Sequence, residues 1–421
     1  MFKRLSGYWH DVAWQASGNA SAQLVGIIGI PILSRLYSPA EFATQSLFIQ
    51  VVTYATALMT WRYEFFLQLP KEDEDARSLN DLVLGLGITN TVLLSAFVWV
   101  FRFELADALG NNELAGWLGI APATAFLVSL ALCNQHRVQR SRGFKETGIS
   151  QLVGQSSYVA TAISGALANL GATGLMVATA FSATGKIVWL KLRFRTASGS
   201  REPAHRRFQN AGRMAGLYLK LATSTVVSHL FSTTATTIPL VAIARMYGTN
   251  ELGQYALVLA TIYLPSGLLG AAIGQVYYQR AAEAWANGRS FLPLWKSTVA
   301  KLLLIGVPVY SLASLLSPIA YPLVFGNQWD QAGEFARYIS IAALCSFISS
   351  PLDRTRLIVG AWIYSLVWSA FRVISALVVV ALGVRLSLPV MSFMLALMAQ
   401  MCLVYLIDLA MGYQFSKMRK A

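Results

Sequence analysis

Eight ionisable side chains stand in or at the end of long apolar runs, and these are the residues whose types could do chemistry. Arg62 and Glu64 close one run, and Lys186, Lys220, His229, Lys301, Arg372 and Asp408 interrupt others. A charge at the centre of a membrane helix costs several kcal/mol unless it faces a partner or a cavity, so each is a functional candidate by default. Lys186, Lys220, Lys301 and Asp408 fall within about two turns of an inner helix end and could snorkel to the interface. His229 and Arg372 lie deeper. Arg62 and Glu64, at a rim, could equally pair to secure a helix end. The chemistry on offer is binding and proton exchange, because nothing here has enzymatic spacing: there is no Walker or Gly-rich phosphate loop and no zinc spacing.

Two polar stripes accompany these charges. Gln15, Asn19 and Gln23 recur every four residues, which places them on one helical face. At an offset of 210 residues the chain carries Thr225, His229 and Thr233, flanked by Lys220, Ser224, Ser228 and Ser232, again every four. Hydrogen bonds between helices, worth about 1 kcal/mol each, would account for such stripes. A water-filled cavity between two repeated halves would account for their pairing as well.

The elements that position these residues are membrane helices. Of 421 residues 56% are hydrophobic and 12% charged, against about 25% charged in a soluble chain. Runs of about 20 apolar residues mark spans. They give twelve candidates, near 12–34, 44–67, 82–101, 115–134, 149–169, 172–191, 216–243, 252–279, 299–317, 335–351, 357–382 and 388–412. The runs are continuous, without the alternation of an outer-membrane barrel. The expectation is an all-α integral membrane protein in two six-helix lobes related by an internal repeat: residues 1–192, a basic cytoplasmic linker 193–213, and residues 214–421. With the N-terminus inside, basic residues outnumber those outside by about six to one, which sets both termini in the cytoplasm. The net charge of +14 is thereby explained without nucleic acid. Three cysteines in apolar runs and four dispersed histidines suggest no disulfide framework, metal or other cofactor. No cleaved signal is expected, because Trp9, His10, Asp11 and Gln15 interrupt the apolar core that one needs.

The repeat shows in two motifs. Arg35-Leu36-Tyr37-Ser38-Pro39-Ala40-Glu41-Phe42 is echoed by Arg245-Met246-Tyr247-Gly248-Thr249-Asn250-Glu251-Leu252, and Gly110-Asn111 by Gly326-Asn327. In the first, Ser38 and Glu41 have the spacing of a capping box, with Pro39 opening the helix. In the second, Gly248 takes the cap position. Pro265, beside Ser266-Gly267, predicts a kink within a span.

At these residues the chain resembles a known family. Pro31 to Phe42, then Arg62-Tyr63-Glu64, Leu69-Pro70-Lys71, Asn134-Gln135, Arg142-Gly143-Phe144-Lys145, Glu251 to Tyr255, Leu264-Pro265 and Phe325-Gly326-Asn327-Gln328-Trp329 are similar to the Wzx-type oligosaccharide flippases of the polysaccharide-transporter family. The stretch Met59-Thr60-Trp61 departs from that pattern, which has smaller or leucine-like residues there. The resemblance implies the multidrug/oligosaccharidyl-lipid/polysaccharide (MOP) exporter fold in a bacterial inner membrane. Its implied substrate is an undecaprenyl-diphosphate-linked oligosaccharide, moved by alternating access for O-antigen, capsule or exopolysaccharide synthesis. Lys220, Arg62 and Arg372 would then meet the diphosphate, while Gln15, Asn19, Gln23, Ser224, Ser228 and His229 would meet the sugars. His229 and Glu64 would be the proton-coupling residues. Partners implied are the lipid-linked oligosaccharide, bilayer lipid, a polysaccharide polymerase and a chain-length regulator, with the protein itself a monomer. A multidrug or other small-molecule antiporter of the same superfamily is the alternative. An enzyme is not expected, because no outer loop is large enough for a catalytic domain.

Overall fold

The computed structural model describes residues 2–194 and 204–419. Residues 195–203 of the basic linker, and Lys420, lie outside the described residues. Within them the regular elements are helical: α1 (Phe2–Leu36), α2 (Pro39–Met59), α3 (Asp73–Ala108), α4 (Ala115–Leu118), α5 (Ala121–Arg140), α6 (Phe144–Leu167), α7 (Ala172–Arg193), α8 (Ala204–Met246), α9 (Thr249–Ile262), α10 (Leu264–Ala286), α11 (Leu292–Phe325), α12 (Asp330–Ser349), α13 (Thr355–Ile358), α14 (Trp362–Arg385) and α15 (Val390–Lys417), with short 3-10 turns between some of them. Among the described residues nine helices are long and apolar enough to cross a membrane, and the pair Asn112–Leu118 and Ala121–Arg140, bent by 59°, makes a tenth span. Each of the twelve expected stretches is mainly helical, with breaks inside those over 44–67, 115–134, 252–279 and 357–382. The remaining long elements, α6 and the α9–α10 pair, are more polar or broken. Side chains such as Leu304, Ile319 and Leu323 on α11 are more than 70% exposed, a surface that only lipid can cover favourably.

The chain forms two compact units. One contains Met1–Tyr37 and Thr44–Thr233, the other Ser38–Ala43 and Thr234–Ala421. In the first, α6 packs along α1 and α7, and α5 along α7 and α3. The helices approach closely because glycines face one another: a Cβ on Gly148 would lie 2.7 Å from the Trp14 carbonyl oxygen, and one on Gly165 would lie 2.6 Å from the Gly174 Cα. Small residues at crossings let dispersion act over a long seam, which is how membrane helices associate without a hydrophobic driving force. The Tyr37 hydroxyl donates to the Ala162 carbonyl at 2.6 Å beside that crossing.

In the second unit α12 is the central helix, packed on α11, α15 and α9. The capping box forms: Ser38 N–H donates to Glu41 Oε2 at 2.6 Å, and Glu41 N–H to Ser38 Oγ at 3.4 Å. The two repeated turns meet here, since a Cβ on Gly253 would fall 1.8 Å from the Pro39 carbonyl oxygen. Gly248 at φ 107° takes the cap position in the second copy. The repeated tyrosine again tethers a backbone, Tyr247 donating to the Leu388 carbonyl at 2.7 Å.

Two expectations need correction. The span expected over 44–67 is helical only over Pro39–Met59. It breaks into a left-handed pair and a 3-10 turn at Tyr63–Phe66. Asp408 does not snorkel. It is 9% exposed, and it accepts from Ser349 Oγ at 2.7 Å and Tyr364 Oη at 3.1 Å, with Arg356 at 3.7 Å. The expected kink is present as a break at Tyr263, between α9 and α10.

The Gly165 crossing makes a testable prediction. Gly165→Val should destabilise the purified protein by about 1–3 kcal/mol through overpacking, read as a lower melting temperature in detergent. Gly85→Ala, where a Cβ meets nothing within 4 Å, should leave it unchanged or slightly raised.

Candidate functional site

The first unit gathers its charged and aromatic candidates where α2 ends. Trp61 and Arg62 both adopt left-handed backbone conformations, with φ of 51° and 60°. For non-glycine residues that costs about 1–3 kcal/mol each and persists only where the surroundings over-determine it. They do so here through α8. Tyr63 Oη donates to the Ala215 carbonyl at 2.9 Å, and Phe66 stacks on Tyr218 with ring centroids 5.6 Å apart. Trp61 Nε1 donates to Thr223 Oγ1 at 3.4 Å, and Arg62 Nη2 lies 3.3 Å from His229 Nδ1. Six residues of turn are thus fastened along four turns of helix, about 21 Å.

Inside this clasp Glu64 is fully buried. Its Oε2 accepts from Thr60 Oγ1 at 2.6 Å, while Oε1 has no hydrogen bond and lies 3.9 Å from Arg62 Nη1. Burial holds this carboxyl above the usual carboxylate range, against the opposing effects of the Thr60 bond and the Arg62 charge. A carboxylate partner at 3.9 Å, with no hydrogen bond between the two, compensates the Arg62 charge only in part. The Arg62 side chain is 13% exposed, its guanidinium is 4.5 Å from the centroid of the Phe65 ring, and its buried Nε has no acceptor. Because a guanidinium only donates, His229 Nδ1 must accept from it, so the imidazole proton sits on Nε2, which faces Thr233 Oγ1 at 3.5 Å. A proton on Nδ1 and the Arg62 bond exclude each other.

The other expected residues divide. Lys220, Ser224 and Ser228 are exposed on one face of α8, as is Thr223. Asn19 is exposed, whereas Gln15 spends its side chain on neighbours, accepting from Thr147 Oγ1 and donating to Asn19 Oδ1 at 3.3 Å. Gln23 Oε1 is buried without a hydrogen bond. Arg372 belongs to the second unit, over the Trp368 ring at 4.8 Å, and Arg356 approaches the same ring at 5.0 Å. In that unit Asp353, Arg356, Asp408 and Tyr364 line one small cavity with Trp295, a cluster that helical spacing alone did not reveal. Thr60, Trp61, Phe65 and Thr223 were likewise missed. The only signal for them was the unusual Met59-Thr60-Trp61 sequence before Arg62. Among the described residues no group of His, Cys, Asp and Glu could hold a metal ion.

The Glu64 environment predicts a pH dependence. The folded state binds its proton more tightly than the unfolded chain, so stability contributed by the neutral form is present at low pH and falls as pH rises above about 4.3, the unperturbed value. Glu64→Gln removes that titration. The melting temperature of the wild type minus that of Glu64→Gln should therefore decrease steadily from pH 4.5 upward.

Comparison with known proteins agrees with this architecture. The model of the family described as polysaccharide biosynthesis protein matches residues 32–334. The succinoglycan biosynthesis transport protein ExoT of Rhizobium meliloti (strain 1021) is 22% identical over 335 residues, which cover 76% of this chain and 63% of that protein. The chain thus spans less than two thirds of that relative. Among solved structures, an inward-facing MATE family multidrug resistance transporter of the MOP superfamily superposes with a TM-score of 0.70 at 12% identity, covering 94% of both chains. The lipid II flippase MurJ in an inward closed conformation gives 0.70 at 13% identity, covering 94% of this chain and 87% of that one. A MOP superfamily transporter from Pyrococcus furiosus gives 0.61 at 13% identity, covering 96% and 94%. At such identities these structures speak for the fold. With 303 of its 421 residues inside the family match, this multi-pass membrane chain belongs to the family of polysaccharide biosynthesis proteins and carries the fold of the MOP transporters.

Proposed function

We propose that the protein is a flippase that moves undecaprenyl-diphosphate-linked oligosaccharide repeat units across the bacterial inner membrane for assembly of a surface polysaccharide. The observation that carries this reading is Arg62: a cation held in a strained turn, with its carboxyl partner no closer than 3.9 Å and a buried Nε lacking an acceptor. A diphosphate supplies the missing acceptors and charge, and attraction between such charges is strong where water is scarce. Lys220, exposed on α8, is the second cation for that head group. Arg372, placed on Trp368 in the other unit, is a third and separate one.

Sugar hydroxyls would meet Asn19, Ser224, Ser228 and His229, with Gln15 and Gln23 on the same stripe of α1. The prenyl tail would remain in lipid. Residues 1–192 and 214–421 act as rocking lobes around a basic linker, with both termini in the cytoplasm, as the distribution of basic residues supports. His229 and Glu64 are the proton-coupling residues in this scheme. Bringing a diphosphate to Arg62 releases Nη2 from the imidazole and frees Nδ1 to take a proton, so substrate and proton occupancy are linked through one bond. A polymerase and a chain-length regulator would act on the delivered units.

The test is the leaflet distribution of lipid-linked oligosaccharide in the native host, with the gene intact, deleted, or replaced by Arg62→Ala or Lys220→Ala. Deletion should leave single repeat units on the cytoplasmic side and abolish the surface polymer. Each substitution should reduce the polymer roughly tenfold or more, because losing a charge-assisted bond of about 1.5–3 kcal/mol is worth at least that. An unchanged lipid-linked pool and polymer in the deletion strain would sink the reading.

A further inference from the structure

We propose that Trp61 is a saccharide platform, its indole face stacking on a sugar ring of the substrate next to the diphosphate-binding Arg62. The inference rests on the flippase reading and adds to it a subsite and a ligand class. Trp61 is bulky, yet its φ is 51°, in a region that such residues rarely adopt. A smaller residue or a glycine would meet the same turn with less strain, so the ring itself is what the position retains. Trp61 is 37% exposed, while its Nε1 is tethered to Thr223 Oγ1. The ring is therefore oriented through one edge, and part of its surface stays open.

The surroundings tell what that surface meets. Thr223, Lys220, Ser224 and Ser228 are exposed on α8 between the equally exposed Leu219, Leu221 and Val227, whereas the stretch of α11 that carries Leu304, Ile319 and Leu323 exposes mainly aliphatic side chains. An aromatic ring bordering a surface that mixes hydroxyls and a cation with aliphatic side chains suits a ligand with both C–H faces and hydroxyl edges. A pyranose is such a ligand. Its C–H bonds, slightly positive, lie against the negative face of the indole, as an aromatic edge does. With only two side-chain torsions, and with one edge already tethered, the platform loses little freedom on binding. Phe65 does not share the role, since its ring lies against the Arg62 guanidinium. Because Trp61 and Arg62 are adjacent in the chain, a sugar on the indole would be the one nearest the diphosphate.

The experiment uses the full-length protein in nanodiscs and two probes: undecaprenyl diphosphate, and the lipid-linked oligosaccharide purified from the host lacking the gene. Trp61→Ala should weaken binding of the oligosaccharide-bearing lipid roughly fivefold to thirtyfold, the range of one aromatic stacking contact, and leave undecaprenyl diphosphate within about twofold. Trp61→Phe should keep most of the affinity. Trp61→Leu, which retains apolar bulk without a ring, should behave as alanine does and replaces it if the turn does not tolerate alanine. Equal weakening of both probes by the leucine variant would mean that Trp61 only positions Arg62. No change in either would mean that it is an interfacial anchor. Each of those two results overturns the platform while leaving the flippase standing. A wild-type protein that binds neither probe removes the flippase reading itself, and the platform with it.

Discussion

The turn from Thr60 to Phe66 holds one ion pair, Arg62 with the buried Glu64, and its contacts with α8 keep that pair in place. Two left-handed residues are unfavourable by themselves. They are held because Ala215, Tyr218, Thr223 and His229 on α8 each take one contact from the turn. Of these contacts only the one to His229 involves the pair, so Arg62 can change partner while Trp61, Tyr63 and Phe66 keep the turn in place. A carboxyl with no exposed surface and a guanidinium at 3.9 Å form a weak pair by distance. Its weakness is consistent with a site that must exchange partners during a cycle, since a saturated bidentate pair would have no valence left for a ligand.

The second unit contains the opposite case. Asp408 receives Ser349, Tyr364 and Arg356, and Arg356 also reaches Asp353 at 2.6 Å. Every acceptor on Asp408 is committed, and the pairs link α12, α13, α14 and α15. That network serves structure: it fastens four elements where apolar packing alone would leave them free to slide. The contrast between a sated carboxylate at 408 and a half-satisfied one at 64 is what separates a strut from a site in this protein.

Close helix packing gives the rigidity on which both depend. The Gly148 and Gly165 crossings and the Gly253 approach to Pro39 leave no room for a side chain. Helices seated this closely move as blocks. A turn strained by two left-handed residues is then a natural place for change, because its energy is already above that of its surroundings.

Composition, run length and the positions of charge by themselves determined the class of this protein: a helical membrane chain with repeated turns, capped as Ser38 and Glu41 predict. These features are local, and bilayer physics acts on each segment alone. Arg62, Glu64 and His229 were also legible, because charge in an apolar run is conspicuous wherever it falls. Only the tertiary structure decided who their partners are. Arg62 and His229 are 167 residues apart, and no helical period relates them. It also ended α2 at Met59, since the left-handed pair needs α8 to hold it. It took Gln15 out of open water by setting Thr147 beside it, and it turned Asp408 from a snorkelling side chain into a strut. Trp61 went unread for the same reason. An indole looks apolar in a sequence, and only its tether to Thr223 gives the ring a direction.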